Sequence, residues 1–379
     1  MLIDRRPREI LAVWTGAVAA IWMLRPPPSS WHFFHDAAGM LVGDAPALLG
    51  HGGLHLWQSQ PDFQFGPVTV LFALVLRVLA GSHDAWAARL VIAPLAPVLV
   101  WLVEDAATHV RLGPPARTTR RMALAAGVVL VPIWDYLALG SLHIDDAIAM
   151  TAAVLAVWAI ARRHPLVVAI ALGVAANAKP WAVVFLPLAL ATPAEDRRRT
   201  LGIAAALALL PWLPFLLAAP GTIQSLRAFR IHNMSTSALR ALGIHTASTP
   251  SWDRPAQLGL GLVAGLVAVR RGRWPGALLV GVAIRLLLDP GSHLYYSAGL
   301  VVAALVWDLV GSPWTIPWVT LATAAALQVP RIMHAPPWLS GWLRLLVTVG
   351  AVVAVFACPT RALAGSAADD RRPAVGAAS

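Results

Sequence analysis

Residues 166–191 read LVVAIALGVAANAKPWAVVFLPLALA, two apolar runs on either side of the polar break Asn177-Ala178-Lys179-Pro180. Lys179 is the only lysine in the chain, beside 28 arginines. A charge inside hydrocarbon costs at least ~2.5–3.5 kcal/mol on insertion scales, so ionisable residues within apolar segments are rare and usually functional. The stretch therefore predicts two short membrane helices that are interrupted at a functional lysine.

Lys179 has two interpretations. Lysine presents three hydrogen-bond donors on a compact charge, which suits it to hold a phosphate. A lysine near a helix end can instead extend its ammonium group to the membrane surface without binding any ligand. Both interpretations place the charge at the end of a membrane helix.

The composition indicates an all-α polytopic membrane protein. The 379 residues are 58% hydrophobic and 12% charged, with a mean hydropathy of +0.69, whereas soluble domains contain about 25% charged residues. The net charge of +11 comes mostly from short arginine clusters between apolar runs, a pattern typical of membrane topology rather than of nucleic-acid binding. Cys358 is the only cysteine, which excludes an intrachain disulfide framework and a cysteine metal site.

The arginine clusters predict the topology, because cytoplasmic loops of membrane proteins are enriched in arginine and lysine. Placing every cluster on the cytoplasmic side of a bacterial plasma membrane also puts both termini there. Residues 1–360 then form one transmembrane domain, and residues 361–379 form a disordered cytoplasmic tail. About 12 transmembrane helices result, at 10–24, 86–103, 122–139, 145–161, 166–177, 181–192, 201–218, 256–269, 275–289, 294–310, 314–328 and 341–358.

The apolar run Pro67–Ala80 does not fit this scheme as a span. It has only about 14 residues, a length more typical of interfacial or re-entrant segments. Counting it as a crossing would also move two arginine clusters to the outside. We therefore expect residues 25–85 to form one large extracytoplasmic loop that carries an interfacial helix.

Polar side chains concentrate on the predicted outer face. Asp36, in the first outer loop, could act as a general base on a hydroxyl or could cap the short helix that follows it. His143, Asp145 and Asp146 occupy a very short second outer loop. They could bind sugar hydroxyls or a metal ion, or an aspartate could cap the next helix. Three ligands from one short loop rarely complete a metal site, so we predict none.

Two further outer segments carry candidate residues. Arg227 and Arg230 lie in a predicted outer loop, where the positive-inside rule makes arginine uncommon. They therefore need an anionic partner such as the phosphate of a lipid carrier or membrane headgroups. His293 could be a general base or could donate a hydrogen bond to a phosphate. With Tyr295 and Tyr296 it could instead belong to an interfacial aromatic belt.

Taken together, these positions resemble membrane glycosyltransferases of the GT-C superfamily, and within it the bacterial polyprenyl-phosphomannose-dependent mannosyltransferases of glycosyltransferase family 87. The resemblance rests on the order of short motifs over residues 10–300. Met234 and Phe65 depart from the family pattern. The matching segments are Asp36, Gln64-Phe-Gly-Pro67, Gly140-Ser-Leu-His143-Ile-Asp145, Gly173-Val-Ala-Ala-Asn-Ala-Lys179-Pro180, Asn233-Met-Ser235 and His293.

The resemblance implies a GT-C-like fold and an inverting glycosyltransferase that acts at the extracytoplasmic face. Such an enzyme moves a sugar, here most simply mannose, from a polyprenyl-phosphate donor to a lipid or glycan acceptor, without a cofactor or a metal. The expected partners are the donor, the acceptor and membrane lipids, with no nucleic acid. The implied roles are catalysis by Asp36 and His293, binding of the donor phosphate by Lys179, Arg227 and Arg230, and binding of substrate by His143, Asp145, Asp146, Asn233, Tyr295 and Tyr296.

Two other functions remain open from the sequence. A secondary transporter would also have about 12 spans and a broken helix, although no internal repeat relates the two halves of this chain. A polymerase or ligase of lipid-linked glycans would use similar outer-face arginines and histidines. The donor separates the ligase from the transferase, because the ligase uses a preassembled glycan on a lipid diphosphate.

Overall fold

A computed structural model of the protein describes residues 7–28, 30–43, 52–111 and 115–361. Within these ranges the chain is all-α without a β-strand, and His232 and Ser248 form one isolated antiparallel bridge. Of the predicted tail, residues 361–379, only Arg361 belongs to the described residues. The α-helices are α1 Pro7–Met23, α2 Trp31–Leu41, α3 Leu56–Ser59, α4 Pro67–Ala80, α5 Asp84–Ile92, α6 Leu95–Val110, α7 Ala116–Asp135, α8 Ile144–Ala161, α9 Pro165–Ala178, α10 Arg197–Leu209, α11 Leu213–Ala218, α12 Thr222–Ala228, α13 Ala238–Ala241, α14 Asp253–Arg270, α15 Ala277–Leu288, α16 Tyr296–Val306, α17 Trp318–Ile332 and α18 Pro337–Phe356.

In the described part of the chain, seven segments of other helical types connect or extend these helices. The 3₁₀ segments are Gly53–His55, Gly81–His83, Pro180–Ala191, Leu210–Trp212 and Trp274–Gly276, and the π-helical segments are Tyr136–Gly140 and Trp307–Gly311. Buried apolar side chains from Leu11 in α1 to Val355 in α18 form one large core cluster.

Five helical segments in the described part of the chain are long and apolar enough to cross a membrane, by length and composition. They confirm the prediction of an all-α membrane protein, while the count of 12 spans and the GT-C-like architecture stay predictions. The five segments are Pro67–Val110, Ala116–Gly140, Ile144–Ala161, Arg197–Ala218 and Pro337–Phe356.

Prolines divide two of the predicted spans. The span predicted at 86–103 is two helices, α5 and α6, which meet at Ala93-Pro94. The span predicted at 201–218 is interrupted by the 3₁₀ turn Leu210–Trp212, which contains Pro211. Proline lacks an amide hydrogen and its ring clashes with the preceding helical turn, so each helix stops or tightens at that point. The helix α4 has the bounds predicted for the interfacial helix, and its position at a membrane surface stays a prediction.

Polar contacts divide the loops into two groups, one at each end of the helix bundle. At one end Glu104 lies 3.8 Å from Arg8 and 3.6 Å from Arg120, and Arg162 donates two hydrogen bonds to Asp105 at 2.8 and 2.9 Å. These arginines flank the predicted spans 10–24, 122–139 and 145–161 on the side that the predicted topology places in the cytoplasm.

The opposite end collects segments that we predicted to be extracytoplasmic. The Ser30 hydroxyl donates to the Ser141 carbonyl, and the Met234 amide donates to the Pro290 carbonyl at 3.0 Å. The grouping of the loops agrees with the predicted topology. Which end faces the cytoplasm stays a prediction.

The stretch 166–191 folds as two helical segments of different kinds. The helix α9 ends at Ala178, Lys179 is extended with φ −137° and ψ 109°, and Pro180 begins a 3₁₀ segment that runs to Ala191. The residue before a proline is driven out of the helical region by contact with the proline ring, which explains the break at Lys179. A 3₁₀ segment of 12 residues is unusual, because runs longer than about 3–4 residues are uncommon.

The start of α4 supplies hydrogen bonds to this break. The Ala178 carbonyl accepts from the Gly66 amide and from the Thr69 hydroxyl, both at 3.0 Å. The Asn177 side chain accepts from the Val68 amide at 2.8 Å and donates to a carbonyl of α10 at 3.2 Å. Irregular backbone within a membrane protein is tolerated only where such partners surround it. The long loop is therefore fastened to the break beside Lys179.

Gly66 is required at this junction because no side chain fits there. A Cβ at Gly66 would lie 1.6 Å from the Asn177 carbonyl oxygen. We expect Gly66→Ala to force the loop away from the break and to lower the free energy of unfolding by about 1–3 kcal/mol, as overpacking does elsewhere. Thermal unfolding in detergent measures this. The control is Gly259→Ala, where a Cβ has no neighbour within 4 Å. Equal unfolding temperatures for the two variants would contradict the prediction.

Candidate active site

Five ionisable side chains meet inside the bundle at the end predicted to be extracytoplasmic. We call Asp145, Asp146, Lys179, Arg285 and Asp289 the charged cluster. The two adjacent aspartates begin α8, Lys179 occupies the helix break, and Arg285 and Asp289 lie at the end of α15. All are buried or nearly so. Ionisable groups that are buried in a membrane protein are usually paired with one another, and they usually mark a functional site.

Lys179 binds the two aspartates of α8. Its ammonium group donates a hydrogen bond to the Asp145 carboxylate and lies 3.7 Å from Asp146 Oδ2. The Lys179 side chain is 13% exposed. Its ammonium group is thus paired within the protein and is not extended to the membrane surface, so the interpretation that Lys179 reaches the surface without a partner does not describe this geometry.

Arg285 lies on the other side of Asp146. Its guanidinium is 3.7 Å from Asp146 Oδ1 and 3.8 Å from Asp289 Oδ2, and it packs over the rings of Trp181 at 4.2 Å and Tyr296 at 4.6 Å. No hydrogen bond within the described residues uses its N–H groups. A buried guanidinium that is held by ring faces and charges, with its donors unused, is suited to receive an anionic ligand.

Sequence reasoning missed Arg285 and assigned no role to Asp289, which belongs to the polar outer segment 289–296. The available signal was an arginine in the middle of the apolar run 275–289, four residues before an aspartate. Arg344 was missed as well, and its guanidinium donates to the Gly291 carbonyl at 3.0 Å next to Asp289.

Aromatic and imidazole rings join the cluster from two loops. The rings of His143 and Tyr295 stack with centroids 3.7 Å apart, and His293 lies parallel to Tyr295 at 5.4 Å. Tyr296 packs edge-on against Tyr295 at 4.6 Å. The structure thus brings together most of the residues that we predicted for the site: His143, Asp145, Asp146, Lys179, His293, Tyr295 and Tyr296.

A narrow cleft opens beside the cluster. Its lining is aromatic and charged, with Asp146 and Arg285 on one side. The other lining residues are Trp134, Leu137, Met150, Trp181, Tyr295, Tyr296, Ala298 and Gly299. Flat rings and a few polar groups are the usual components of a small-molecule site. The free space in this cleft is only about 10 Å³, room for about one water molecule, so a larger ligand requires the lining side chains to move apart.

His143, Asp145 and Asp146 are the residues that could hold a metal ion. One ligand atom from each lies within 4.8 Å of the others. Lys179 already contacts both carboxylates, and Arg285 lies beside Asp146. A divalent ion would have to displace this ammonium group, because the two positive charges would repel each other at that distance.

Burial lowers the pKa of His293 from its usual value. His143 and Arg344 act in the same direction, whereas Asp289 opposes them. The imidazole of His293 is therefore neutral at pH 7. A neutral imidazole can accept a proton or a hydrogen bond, which is consistent with the catalytic role predicted for it.

Within the described residues, three other predicted site residues make no hydrogen bond or ion pair with the cluster. Arg227 and Arg230 are exposed, and the Arg230 guanidinium donates to the Arg227 carbonyl at 3.0 Å. Asn233 is fully buried and uses its side-chain amide within its own loop, donating to the Ile244 carbonyl at 3.0 Å and accepting from the Ser237 hydroxyl at 2.8 Å. In the described structure no contact joins these residues to the charged cluster. Their ligand-binding roles stay predictions.

Asp36 likewise makes no hydrogen bond or ion pair with the cluster in the described part of the chain. It is half-buried on α2, and in the described part of the chain no hydrogen bond or ion pair involves its carboxylate. Phe34 of the same helix packs edge-on against His143, with ring centroids 6.2 Å apart. Two residues correspond to about 200° around a helix, so Asp36 projects from roughly the opposite side of α2. Its role as general base stays a prediction.

Comparisons of this chain with protein-family models, with curated proteins and with solved structures found no match.

Proposed function

We propose that this chain is an integral membrane glycosyltransferase that moves a hexose, such as mannose, from a polyprenyl-phosphate donor to a lipid or glycan acceptor at the extracytoplasmic face. The observation that carries the proposal is the position of Arg285. A guanidinium with unused N–H donors lines a narrow cleft between aromatic rings. This combination offers an anion site beside flat rings against which a sugar can pack.

The lining of the cleft favours a sugar over an apolar ligand. A sugar presents hydroxyl groups at its edge and apolar C–H groups on its faces. Asp146 can accept hydrogen bonds from hydroxyls, and the rings of Trp181 and Tyr296 offer flat apolar surfaces. Each of these rings contacts Arg285 with one part of its surface, and the remaining surface can pack against a sugar.

The charges favour a phosphate leaving group. When the bond between the anomeric carbon and the phosphate oxygen breaks, negative charge grows on the lipid phosphate. Arg285 and Lys179 supply fixed positive charge at this place, and the three carboxylates of the charged cluster hold both cations in position. A preorganised cation stabilises a transition state without rearranging. Direct attack by the acceptor hydroxyl would invert the anomeric centre.

A second function is favoured by the broken helix at Lys179. Secondary transporters bind substrates and coupling ions where helices are interrupted within the membrane, often beside buried charges. The charged cluster and the extended backbone at Lys179 match that description. A transporter would bind its ligand at the same cluster and release it unchanged.

One reconstitution experiment separates these functions. The full-length protein is placed in liposomes that contain labelled polyprenyl-phosphomannose and lipids extracted from bacterial membranes. We expect the label to move to a new lipid or glycan product. Retention of all label on the donor, together with uptake of free mannose into the liposomes, would replace the transferase by a transporter. Consumption of a glycan on a lipid diphosphate, with the monophosphate donor untouched, would indicate a ligase.

A further inference from the structure

A buried arginine of the last helix reaches the edge of the charged cluster. Arg344 lies on α18 and is 6% exposed. Its Nη1 atom donates a hydrogen bond to the Gly291 carbonyl at 3.0 Å, and it lies near enough to Asp289 to be attracted by that carboxylate. A charge in the interior of a membrane protein usually serves a function. The family resemblance covers residues 10–300, so it gives Arg344 no role.

The turn after α15 connects Arg344 to the carboxylate of Asp289. The helix ends at Leu288, and the backbone of Asp289 is extended, with φ −73° and ψ 123°. The Asp289 Oδ1 atom accepts a hydrogen bond from the Gly291 amide at 2.8 Å, which closes an Asx turn. Gly291 is therefore held through its amide by Asp289 and through its carbonyl by Arg344.

This turn is packed closely against the cleft. A Cβ at Gly291 would lie 3.1 Å from Asp289 Oδ1, 3.2 Å from Tyr296 Cε2 and 3.3 Å from His293 Cδ2. The Tyr296 ring lines the cleft and contacts the guanidinium of Arg285. A displacement of Gly291 would therefore move the Asp289 carboxylate beside these groups.

The Asp289 carboxylate is one of two that flank Arg285. Asp289 Oδ2 lies 3.8 Å from Arg285 Nε, and Asp146 Oδ1 lies 3.7 Å from Arg285 Nη1. Both separations exceed the length of a direct charge-assisted hydrogen bond, which is about 2.7–2.9 Å. Neither contact fixes the guanidinium in a hydrogen-bond geometry. The positions of the two negative charges therefore determine its orientation.

We propose that Arg344 is a positioning residue for Arg285, an inference that rests on the anion site of the proposed function. Arg344 fixes the turn at Gly291, the turn fixes the Asp289 carboxylate, and this carboxylate orients the guanidinium of Arg285. A guanidinium binds a phosphate through two parallel hydrogen bonds, which requires a defined orientation of its plane. Orientation before the ligand arrives lowers the free-energy cost of binding.

The test measures the Kd of the purified full-length protein in detergent for polyprenyl phosphate, the sugar-free product of the proposed reaction. Arg344→Met should raise this Kd about tenfold, within the range for residues coupled in one network. Arg344→Lys keeps the charge and a donor for the Gly291 carbonyl, so it should recover most of the affinity. The control is Arg331→Met, which replaces an exposed arginine of α17. A merely structural role would lower the amount of folded protein and leave the Kd of the folded fraction unchanged.

A double-variant cycle tests whether Arg344 acts through Arg285. Arg285→Lys keeps its charge but lacks the planar fork that binds a phosphate with two hydrogen bonds. In that background Arg344→Met should change the Kd by about twofold at most, because the orientation that it supports is already lost. A direct effect of the Arg344 charge on the ligand would persist in this background. The two losses would then multiply, and that result overturns the inference.

Gly291→Ala tests the turn without changing a charge. The added Cβ meets the Asp289 carboxylate and should raise the Kd about threefold. The matched control is Gly259→Ala, where a Cβ has no neighbour within 4 Å. Gly291→Ala also tests the inference if Arg344→Met does not fold. An unchanged Kd in either folded variant overturns the inference.

Transfer assays separate this inference from the proposed function. A wild-type protein that binds polyprenyl phosphate but transfers no sugar overturns the transferase alone. A wild-type protein that does not bind polyprenyl phosphate overturns the proposed function and the inference with it.

Discussion

Replacing Lys179 by methionine is expected to lower the free energy of unfolding by about 3–5 kcal/mol, the usual cost of removing one partner from a buried ion pair. The Asp145 carboxylate loses its ammonium partner, and Asp146 loses a charge 3.7 Å away. Methionine has about the length of lysine, so the loss reports charge and not a cavity. Denaturant or thermal unfolding of the purified protein in detergent measures it.

The double variant Lys179→Met, Asp145→Asn provides the control. Removing both members of the pair leaves no uncompensated charge between them, so we expect it to recover most of the stability that the single variant loses. Residues in contact show such non-additive effects. A single variant as stable as the wild type would show that the pair does not stabilise the fold. Lys179→Met should also lose donor affinity if its ammonium group serves the lipid phosphate.

Replacing Arg285 by lysine is expected to raise the KM for a polyprenyl-phosphate donor roughly tenfold to a hundredfold. The lysine keeps the positive charge between Asp146 and Asp289, but it lacks the planar fork that binds a phosphate with two parallel hydrogen bonds. A charge-assisted hydrogen bond contributes about 1.5–3 kcal/mol, which corresponds to this range. Steady-state transfer at varied donor concentration measures the change.

Arg285→Lys separates binding from folding because the charge remains. Unfolding temperatures should stay near the wild-type value, and Arg285→Met should lower them because both aspartates then lose a counter-ion. The control is Arg270→Lys, an exposed arginine at the end of α14. An unchanged donor KM in Arg285→Lys would remove this residue from the phosphate site.

Local chemistry explains which parts of the fold were predictable. Apolar run length located most of the helices, and the polar residues Asn177–Pro180 between two apolar runs located the break at Lys179. Prolines also explain the errors, because Pro94 and Pro211 divide spans that hydropathy alone joins into one. Hydropathy averages over a window and does not register the loss of one amide donor.

The sequence could predict the part of the candidate site whose residues lie at the same end of their helices. His143, Asp145 and Lys179 were expected on one face because the arginine clusters fixed the direction of each span, and they do meet. Arg285 was hidden inside an apolar run. The hydrogen bond between Arg344 and Gly291 joins residues 53 apart in sequence, so no local pattern indicates it. Long-range partners depend on how helices pack, and short motifs do not contain that information.

The hydrogen bonds between α4 and the break at Lys179 also restrict the order in which the protein can be assembled. The partners of Asn177 and Ala178 belong to a segment made 109 residues earlier in translation. Unpaired backbone groups are costly in a lipid environment. The later helix pair can therefore complete its hydrogen bonds only after the earlier loop has folded against it.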